Sequence, residues 1–449
     1  MPAKPPATKP EPIRPRYFEL ADKFWEITLD DTAVTTRHGK VGSPGQTKRK
    51  GFEAYYEATS EARKLVNAKT KLGYLEKVST TTPAAKSNPA LEKAIAANPL
   101  DEAAYMVYAD WLQGQGDPRG ELIALQAGGK DKPAKKFFDG HVDYFLGPLK
   151  AHVKCHDGFV DKKHPAFTWK NGFIYGARLA HNQYASEWKG KLATDVLTPL
   201  LAHPSGKFLV ELTLNENDDP AEDTLDDIFD VIASHSLPSL RKLRIGDEVS
   251  QISWFRVGNV GKIWKAVPNL TDLEIEAGEF KLGDIDLSNV VRAVFHTGGL
   301  SKANAKSIAA ARWPKLEHLE VYFGDPEYGC TAKLGEALAI LERADLSKLR
   351  YLGLKNAEFQ ADLVPHLASS KLVRQLHTLD MSCGILLDEH VDSILAHKDA
   401  FKHLAVLDVS STWLTKQAVK RLKGVAKTVK CDDSWNDANP QYRYVRVGE

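Results

Sequence analysis

Residues 376–394 read LHTLDMSCGILLDEHVDSI, and residues 404–422 read LAVLDVSSTWLTKQAVKRL. Offset by 28 positions, the two align aliphatic on aliphatic: Leu376, Leu379 and Met381 against Leu404, Leu407 and Val409, then Ile394 against Leu422. Each opens with an L-x-x-L-x-L triplet, whose last two members have the two-residue spacing of a strand. Each closes on apolar residues at helical spacing. A strand followed by a helix at this period is one unit of a repeat, and a single unit cannot hide its apolar side alone.

The triplet recurs toward the N-terminus. It is found at Leu349/Leu352/Leu354, Leu316/Leu319/Val321, Leu270/Leu273/Ile275, Leu240/Leu243/Ile245, Leu209/Leu212/Leu214 and Ile174/Ala177/Leu179, with a weaker copy at Val291/Val294. Helices are predicted between copies over Leu225–Ala233, Ala303–Ala311, Leu334–Arg343, Ala361–Leu367, Glu389–Leu395 and Lys416–Leu422. Stacked units would each bury three or four aliphatic side chains, at roughly 1.5–3 kcal/mol apiece.

These units resemble leucine-rich repeats of the longer, helix-bearing kind found in ribonuclease inhibitor. The resemblance covers residues 169–449 and implies an α/β solenoid in the form of an irregular horseshoe. Asn215 and Asn356 fall at the ladder-asparagine position of that family, and most units lack one. Strand residues between the buried leucines would face the concave side. They include Glu211, Asp272, Glu274, Glu276, His318, Glu320, Tyr322, Tyr351, Lys355, Asp380 and Asp408, together with Thr213, Lys242, Arg244, Ser382 and Ser410. Carboxylates dominate, so this face is expected to repel phosphate backbones and to suit a protein partner with a basic surface. The alternative is a set of solvated strand residues without a partner. The tail Gln441–Val447 alternates like a strand and is expected to cover the last repeat.

Residues 16–78 follow a different pattern. Tyr17–Leu20, Lys23–Leu29 and Ala33–His38 alternate like half-buried strands, Asp30-Asp31 supplies a turn, and Thr47–Phe52 is a further short strand. A helix is predicted from an N-cap at Ser60 to a stop at Gly73. The strings FWEI, TRHGKVGSPGQ and KTKLGY, in this order, resemble the WGR domain, a small β-sheet module with one packed helix. His38-Gly39-Lys40 stands where the family has Trp-Gly-Arg. The aromatic plane is therefore lost, and Lys cannot fork two hydrogen bonds to a phosphate as Arg does. In poly(ADP-ribose) polymerases such domains help bind DNA ends, and the resemblance implies DNA binding here. Arg37, His38, Lys40, Lys48, Arg49 and Lys50 are the candidate residues. A few phosphate contacts support non-specific binding with Kd on the order of 10⁻⁴–10⁻⁶ M. The alternative is a solvated basic hairpin.

Between these regions, residues 79–89 read as a linker and residues 90–168 as a helical connector, with helices over Asn88–Ala97, Glu102–Leu112 and Glu121–Gln126. Asp101 and Asp117 are the expected caps, with Pro118 at a first helical position. The string YADWLQGQGDPRGELIALQ resembles a bacterial repeat-companion domain that precedes leucine-rich repeats. That likeness predicts neighbours and no chemistry. Asp110, Asp117, Arg119 and Glu121 could pass for a catalytic constellation, but capping and an Asp–Arg pair at a helical corner account for them.

Composition narrows the function. At 449 residues the chain is too long for one hydrophobic core, its 43% hydrophobic and 27% charged residues are ordinary for a folded soluble protein, and the patterns above make it a multi-domain α/β protein. Its formal net charge of +1 gives no overall attraction to polyanions. Residues 1–80 carry 15 Lys or Arg against 10 Asp or Glu, whereas residues 171–449 carry 33 against 38, so polyanion binding belongs to the first segment. The leader, residues 1–15, reads as disordered and is neither a signal peptide nor an anchor, which gives a cytoplasmic expectation and no membrane partner. Cys155, Cys330, Cys383 and Cys431 form no CxxC pair and read as buried small residues. His152, Cys155, His156 and His164 fit no familiar zinc spacing, so no metal is expected. There is no GxxxxGK[ST], HExxH or GxSxG motif, and Asp388-Glu389-His390 reads as acidic residues at a helix start. No catalytic residue and no cofactor is expected. The favoured reading is an interaction or adaptor protein, against a nucleic-acid-binding regulator and, third, an enzyme of unknown class.

Overall fold

The computed structural model describes residues 16–30, 32–76, 86–151, 165–179, 193–215, 224–247, 249, 251–434 and 443–448. The chain divides into two compact units, residues 1–84 and 85–449. The leader, most of the linker, and the His152/Cys155/His156/His164 cluster lie outside the described residues.

The first unit is an antiparallel sheet of β1 (Arg16–Leu20), β2 (Lys23–Asp30), β3 (Ala33–Lys40), β4 (Gln46–Gly51) and β5 (Leu75–Glu76), in the order β4-β3-β2-β1-β5. Phe18, Trp25, Ile27 and Val34 line one face and are buried under helix α1 (Tyr55–Lys71), against Ala58, Ala62, Leu65 and Val66. The helix starts five residues before the expected cap at Ser60. Ala54 occupies the N-cap without a side-chain bond, and Glu57 near the start with Lys69 and Lys71 at the end complement the helix dipole. Gly73, at φ +88°, stops it as the sequence indicates.

The second unit begins with α2 (Pro89–Ala97), α3 (Glu102–Gly114) and α4 (Pro118–Ala127), capped by the side chains of Asn88, Asp101 and Asp117. Tyr105 and Tyr108 of α3 share one buried cluster with Phe173 and Phe208, so these helices pack on the beginning of the sheet that follows. That sheet is mixed and eleven-stranded. It comprises β6 (Phe167–Lys170), β7 (Phe173–Leu179), β8 (Glu211–Leu214), β9 (Lys242–Ile245), β11 (Asp272–Glu276), β13 (Arg292–His296), β14 (His318–Gly324), β15 (Tyr351–Ala357), β16 (Thr378–Asp380), β17 (Val406–Asp408) and β18 (Thr428–Lys430). β10 (Arg256–Asn259) and β12 (Glu279–Lys281) form a separate parallel pair. Among the described strands of this sheet only β6 runs antiparallel, to β7; from β7 to β18 each strand pairs in parallel with the next one in the sheet.

Parallel neighbours need a crossover, and most of these are helices at the expected places. The observed bounds are Asp226–Ala233, Lys302–Ala310, Leu334–Leu341, Gln360–Ser369, Val391–Ala396 and Lys416–Arg421. Every residue of the eight full triplets is at most 3% exposed. The weak copy is shifted by one residue: Ala293 and Phe295, not Val294, align with Leu273/Leu319 and Ile275/Val321. Val290, Ala293 and Phe295 are the fully buried triplet there.

Two other expectations are corrected. Cys330, Cys383 and Cys431 are free thiols that are only half-buried. The described tail, residues 443–448, does not add a strand to β18. It runs back across earlier turns: Arg446 N–H donates to the Cys383 carbonyl and Val447 N–H to Asn356 Oδ1. Among the described residues no helix is long and apolar enough to cross a membrane.

Candidate functional site

Because side chains alternate across a strand, the residues between the buried leucines share the open face of the large sheet. Across the central row, from β7 to β17, these are Arg178, Thr213, Arg244, Glu274, Val294, Glu320, Gly353, Asp380 and Asp408. The row before it carries Glu211, Lys242, Asp272, Arg292, His318 and Tyr351, and the row after it Glu276, His296, Tyr322 and Lys355. The eleven residues expected on this face do occupy it. Arg178, Arg292 and His296 belong with them and were missed; taking the weak copy at Val290 would have found the last two.

Most of the carboxylates are already neutralised. Arg178 lies 2.6 Å from Asp247, and Arg244 bridges Asp247 and Glu274. Arg292 reaches Glu274 at 2.8 Å and Asp272 at 3.1 Å. Lys355 lies 3.2 Å from Glu320 and 3.0 Å from Asp380, with its ammonium 4.8 Å from the Tyr322 ring centre. Tyr351 donates to Asp380 at 2.5 Å and stacks on His318 at 4.0 Å, while His296 meets Tyr322 at 4.3 Å. Asp380 is 2% exposed, so it orders its neighbours and presents no surface of its own.

Burial opposes ionisation of Glu320, but the hydrogen bond with His318 and the charge of Lys355 outweigh it and hold the carboxyl at about 2. Burial likewise pulls against Lys355, yet Asp380, Tyr322 and Glu320 push it above its usual range. Glu276 differs. Burial and the nearby Glu274 and Asp247 raise it despite Arg244, whose closest approach is 3.9 Å. Among the described residues Glu211 and Asp408 have no ion pair within 4.0 Å. Glu211, Glu276 and Asp408 are thus the least neutralised carboxylates of the face.

On the first unit the pleat separates the six candidate residues. Arg37 lies opposite Glu26 and Thr47 on one face, with Arg49 on the same side; His38, Lys40, Lys48 and Lys50 alternate to the other. Arg37 is committed to a two-pronged bond with Glu26, at 3.1 and 2.8 Å, and its guanidinium sits 4.7 Å from the Phe24 ring centre. Lys50 bonds Glu61 at 3.1 Å. β4 is exposed at every residue and lies at the sheet edge, where Lys48 and Arg49 stand out. Gly39 has a packing reason: a Cβ there would be 2.9 Å from Gly45 Cα and 3.2 Å from Phe24.

The connector residues serve structure. Arg119 is buried among the Tyr144, Phe145 and Phe173 rings and donates to the Gly172 carbonyl and to Ser205 Oγ. Asp117 caps α4 and accepts from Tyr144 at 2.6 Å. Asp388 accepts from the N–H and hydroxyl of Thr415, and His390 Nδ1 from the Leu387 N–H.

The WGR domain family model matches residues 16–81. The uncharacterized protein YfeS of Escherichia coli (strain K12) is 40% identical over 60 residues, 13% of this chain and 25% of YfeS, so the chain spans about a quarter of that curated relative's length. A Bacteroides fragilis protein, solved by crystallography as a structural genomics target, aligns over 97% of this chain and all of its own with a TM-score of 0.50 and 22% identity, a likeness of fold alone. With the antiparallel sheet, the packed helix and the Gly39–Gly45 contact in place, residues 16–81 are a WGR domain.

Proposed function

We propose that the protein is a non-enzymatic interaction protein, in which residues 169–449 form a leucine-rich-repeat solenoid and its concave face, the open side of the large sheet, binds a protein partner. The observation that carries this reading is the ordered centre of that face. Before any partner arrives, Glu320 and Asp380 hold His318, Tyr351 and Lys355, and Lys355 and His296 in turn hold the Tyr322 ring. Side chains already fixed lose little entropy on binding, and aromatic anchors at the middle of a patch are where interface energy concentrates. Glu211, Glu276 and Asp408 supply the remaining negative charge, which favours a partner with a basic surface. The WGR domain gives a second contact.

The test compares the intact chain with a Glu211→Lys, Asp408→Lys, Tyr351→Ser variant of unchanged circular dichroism in capture from the source organism. A partner retained by the parent and lost from the variant supports the reading; identical retention by both rejects it.

A second reading, contact with nucleic acid through the WGR domain, is favoured by one observation. β4 is exposed at every residue and carries Lys48, Arg49 and Lys50 in sequence, Lys50 being paired with Glu61. Fluorescence anisotropy with a DNA end at two salt concentrations checks it. No binding at low salt rejects this reading.

A further inference from the structure

The segment after the last strand of the sheet is bound as a peptide would be. Among the hydrogen bonds that hold it, four read its main chain. The Trp413 indole N–H donates to the Tyr444 carbonyl at 3.1 Å, and the Arg446 N–H donates to the Cys383 carbonyl at 2.8 Å. The Asn356 amide closes a two-way pair with Val447, donating to its carbonyl at 2.7 Å and accepting from its N–H at 2.8 Å. Asn356 is fully buried and sits at φ +55°, a backbone region that Asn tolerates better than most side chains. A side-chain amide that matches both backbone groups of one residue imitates a neighbouring strand.

Side-chain selection is equally defined. Val445 is 3% exposed, and the Tyr444 ring meets Trp413 edge to face at 6.2 Å. Gly448 lies against the Tyr328 ring, where a Cβ would come within 2.3 Å of Cε2. On the other side the backbone of Gly448 fills the space over Gly298, where a Cβ would be 2.5 Å from the Gly448 carbonyl oxygen. Two glycines thus meet at one end of the segment, and an aromatic pair marks the other.

We propose that Gly298, Tyr328, Asn356, Cys383 and Trp413 form a binding slot for an extended peptide of the pattern aromatic–aliphatic–x–x–glycine, filled in cis by residues 444–448. The slot crosses the end of β15 and the turns that follow β13, β14, β16 and β17, so its occupant ties together units distant in sequence. A segment of the same pattern on another chain competes for it.

The experiment uses the full chain. Amide exchange is measured on the parent and on Gly448→Val and Val445→Ser, two changes confined to the occupant. The Arg446 and Val447 amides are expected to be protected at least 100-fold in the parent and to lose that protection in both variants. A fluorescent peptide of sequence QYRYVRVGE is then titrated into each. It is expected to bind the two variants at least tenfold more tightly than the parent, whose slot is filled, and to lose binding when Asn356→Gly is added. Replacing the peptide's glycine with valine should abolish binding to all. Release of residues 444–448 without any peptide binding overturns the proposal, as does undiminished protection in both variants.

Discussion

Lys355 lies back across Gly353, so that its ammonium stands 3.0 Å from Asp380 on the next strand. A Cβ at position 353 would meet the Lys355 side chain at 3.1 Å. Glycine at that point lets one cation serve Glu320 on β14 and Asp380 on β16 together. The centre of the open face is therefore built from three strands whose residues are about thirty positions apart.

Removing Lys355 tests this directly. Lys355→Met leaves Glu320 and Asp380 facing each other in a nearly buried site, and a loss of about 3 kcal/mol is expected, as for other broken buried pairs. Urea denaturation of the single variants and of Lys355→Met with Asp380→Asn should show that the double variant loses less than the sum. Additive losses would mean that the two groups do not act together.

Acid sensitivity should come from histidines. His203 is 4% exposed, its Nδ1 accepts from the Ser205 N–H, and burial together with the Arg119 charge depresses it to about 4. His296 is depressed to about 4 as well, by burial first and Lys355 second. A depressed histidine contributes stability in full above its unfolded value near 6.5, and that contribution is lost as pH falls from there toward 4. For His203 the loss amounts to about 3 kcal/mol at most. His203→Asn keeps an acceptor for Ser205 and removes the titration. Stability at pH 7 should change little, while the fall between pH 6.5 and 4 becomes shallower. An unchanged slope would clear His203 of this role.

Arg119 should resist even conservative replacement. Lys carries the charge but cannot reach the Gly172 carbonyl and Ser205 Oγ at once, nor lie flat against three rings. Arg119→Lys is expected to cost about 2–3 kcal/mol in urea denaturation of the intact chain, close to Arg119→Met. Full tolerance of Lys would show that charge alone matters at this corner.

Much of this was legible in the sequence, for reasons that differ by feature. The triplets declared themselves because burial on one side of a strand leaves a two-residue trace, and Leu352/Leu354 or Leu407/Val409 have no other use. The copy near 291 misled because Val290, Val291 and Val294 are all apolar, so register rested on Ala293, too small to stand out. The start of α1 was hidden because Ala54 gives no capping signal whereas Ser60 does. The ion pairs were illegible: nothing local ties Arg244 to Glu274 or Lys355 to Asp380. The tail deceived by its alternation, since QYRYVRV reads as a strand whether it joins a sheet or crosses its turns.

In the WGR domain, stability and polyanion contact should separate cleanly. Gly39 is pressed between Gly45 and the Phe24 ring, with Ser43 Oγ 2.9 Å from where a Cβ would lie. Gly39→Val forces backbone apart from backbone and should lower stability by about 2 kcal/mol, with any nucleic-acid binding lost only because the turn is displaced. Lys48 is exposed on the edge strand and has no ion pair within 4.0 Å among the described residues, so Lys48→Glu should leave stability within about 0.5 kcal/mol. If β4 touches phosphate, Lys48→Glu weakens DNA binding at low salt and reduces the slope of log K against log salt by roughly one. Arg37→Gln should behave in the opposite way, because its guanidinium is spent on Glu26 and Phe24: stability falls by about 1 kcal/mol and the salt slope stays as it was. Thermal melts and anisotropy on the same three variants decide the matter. A salt slope that responds to Arg37 and not to Lys48 would place any contact on the other face of the sheet.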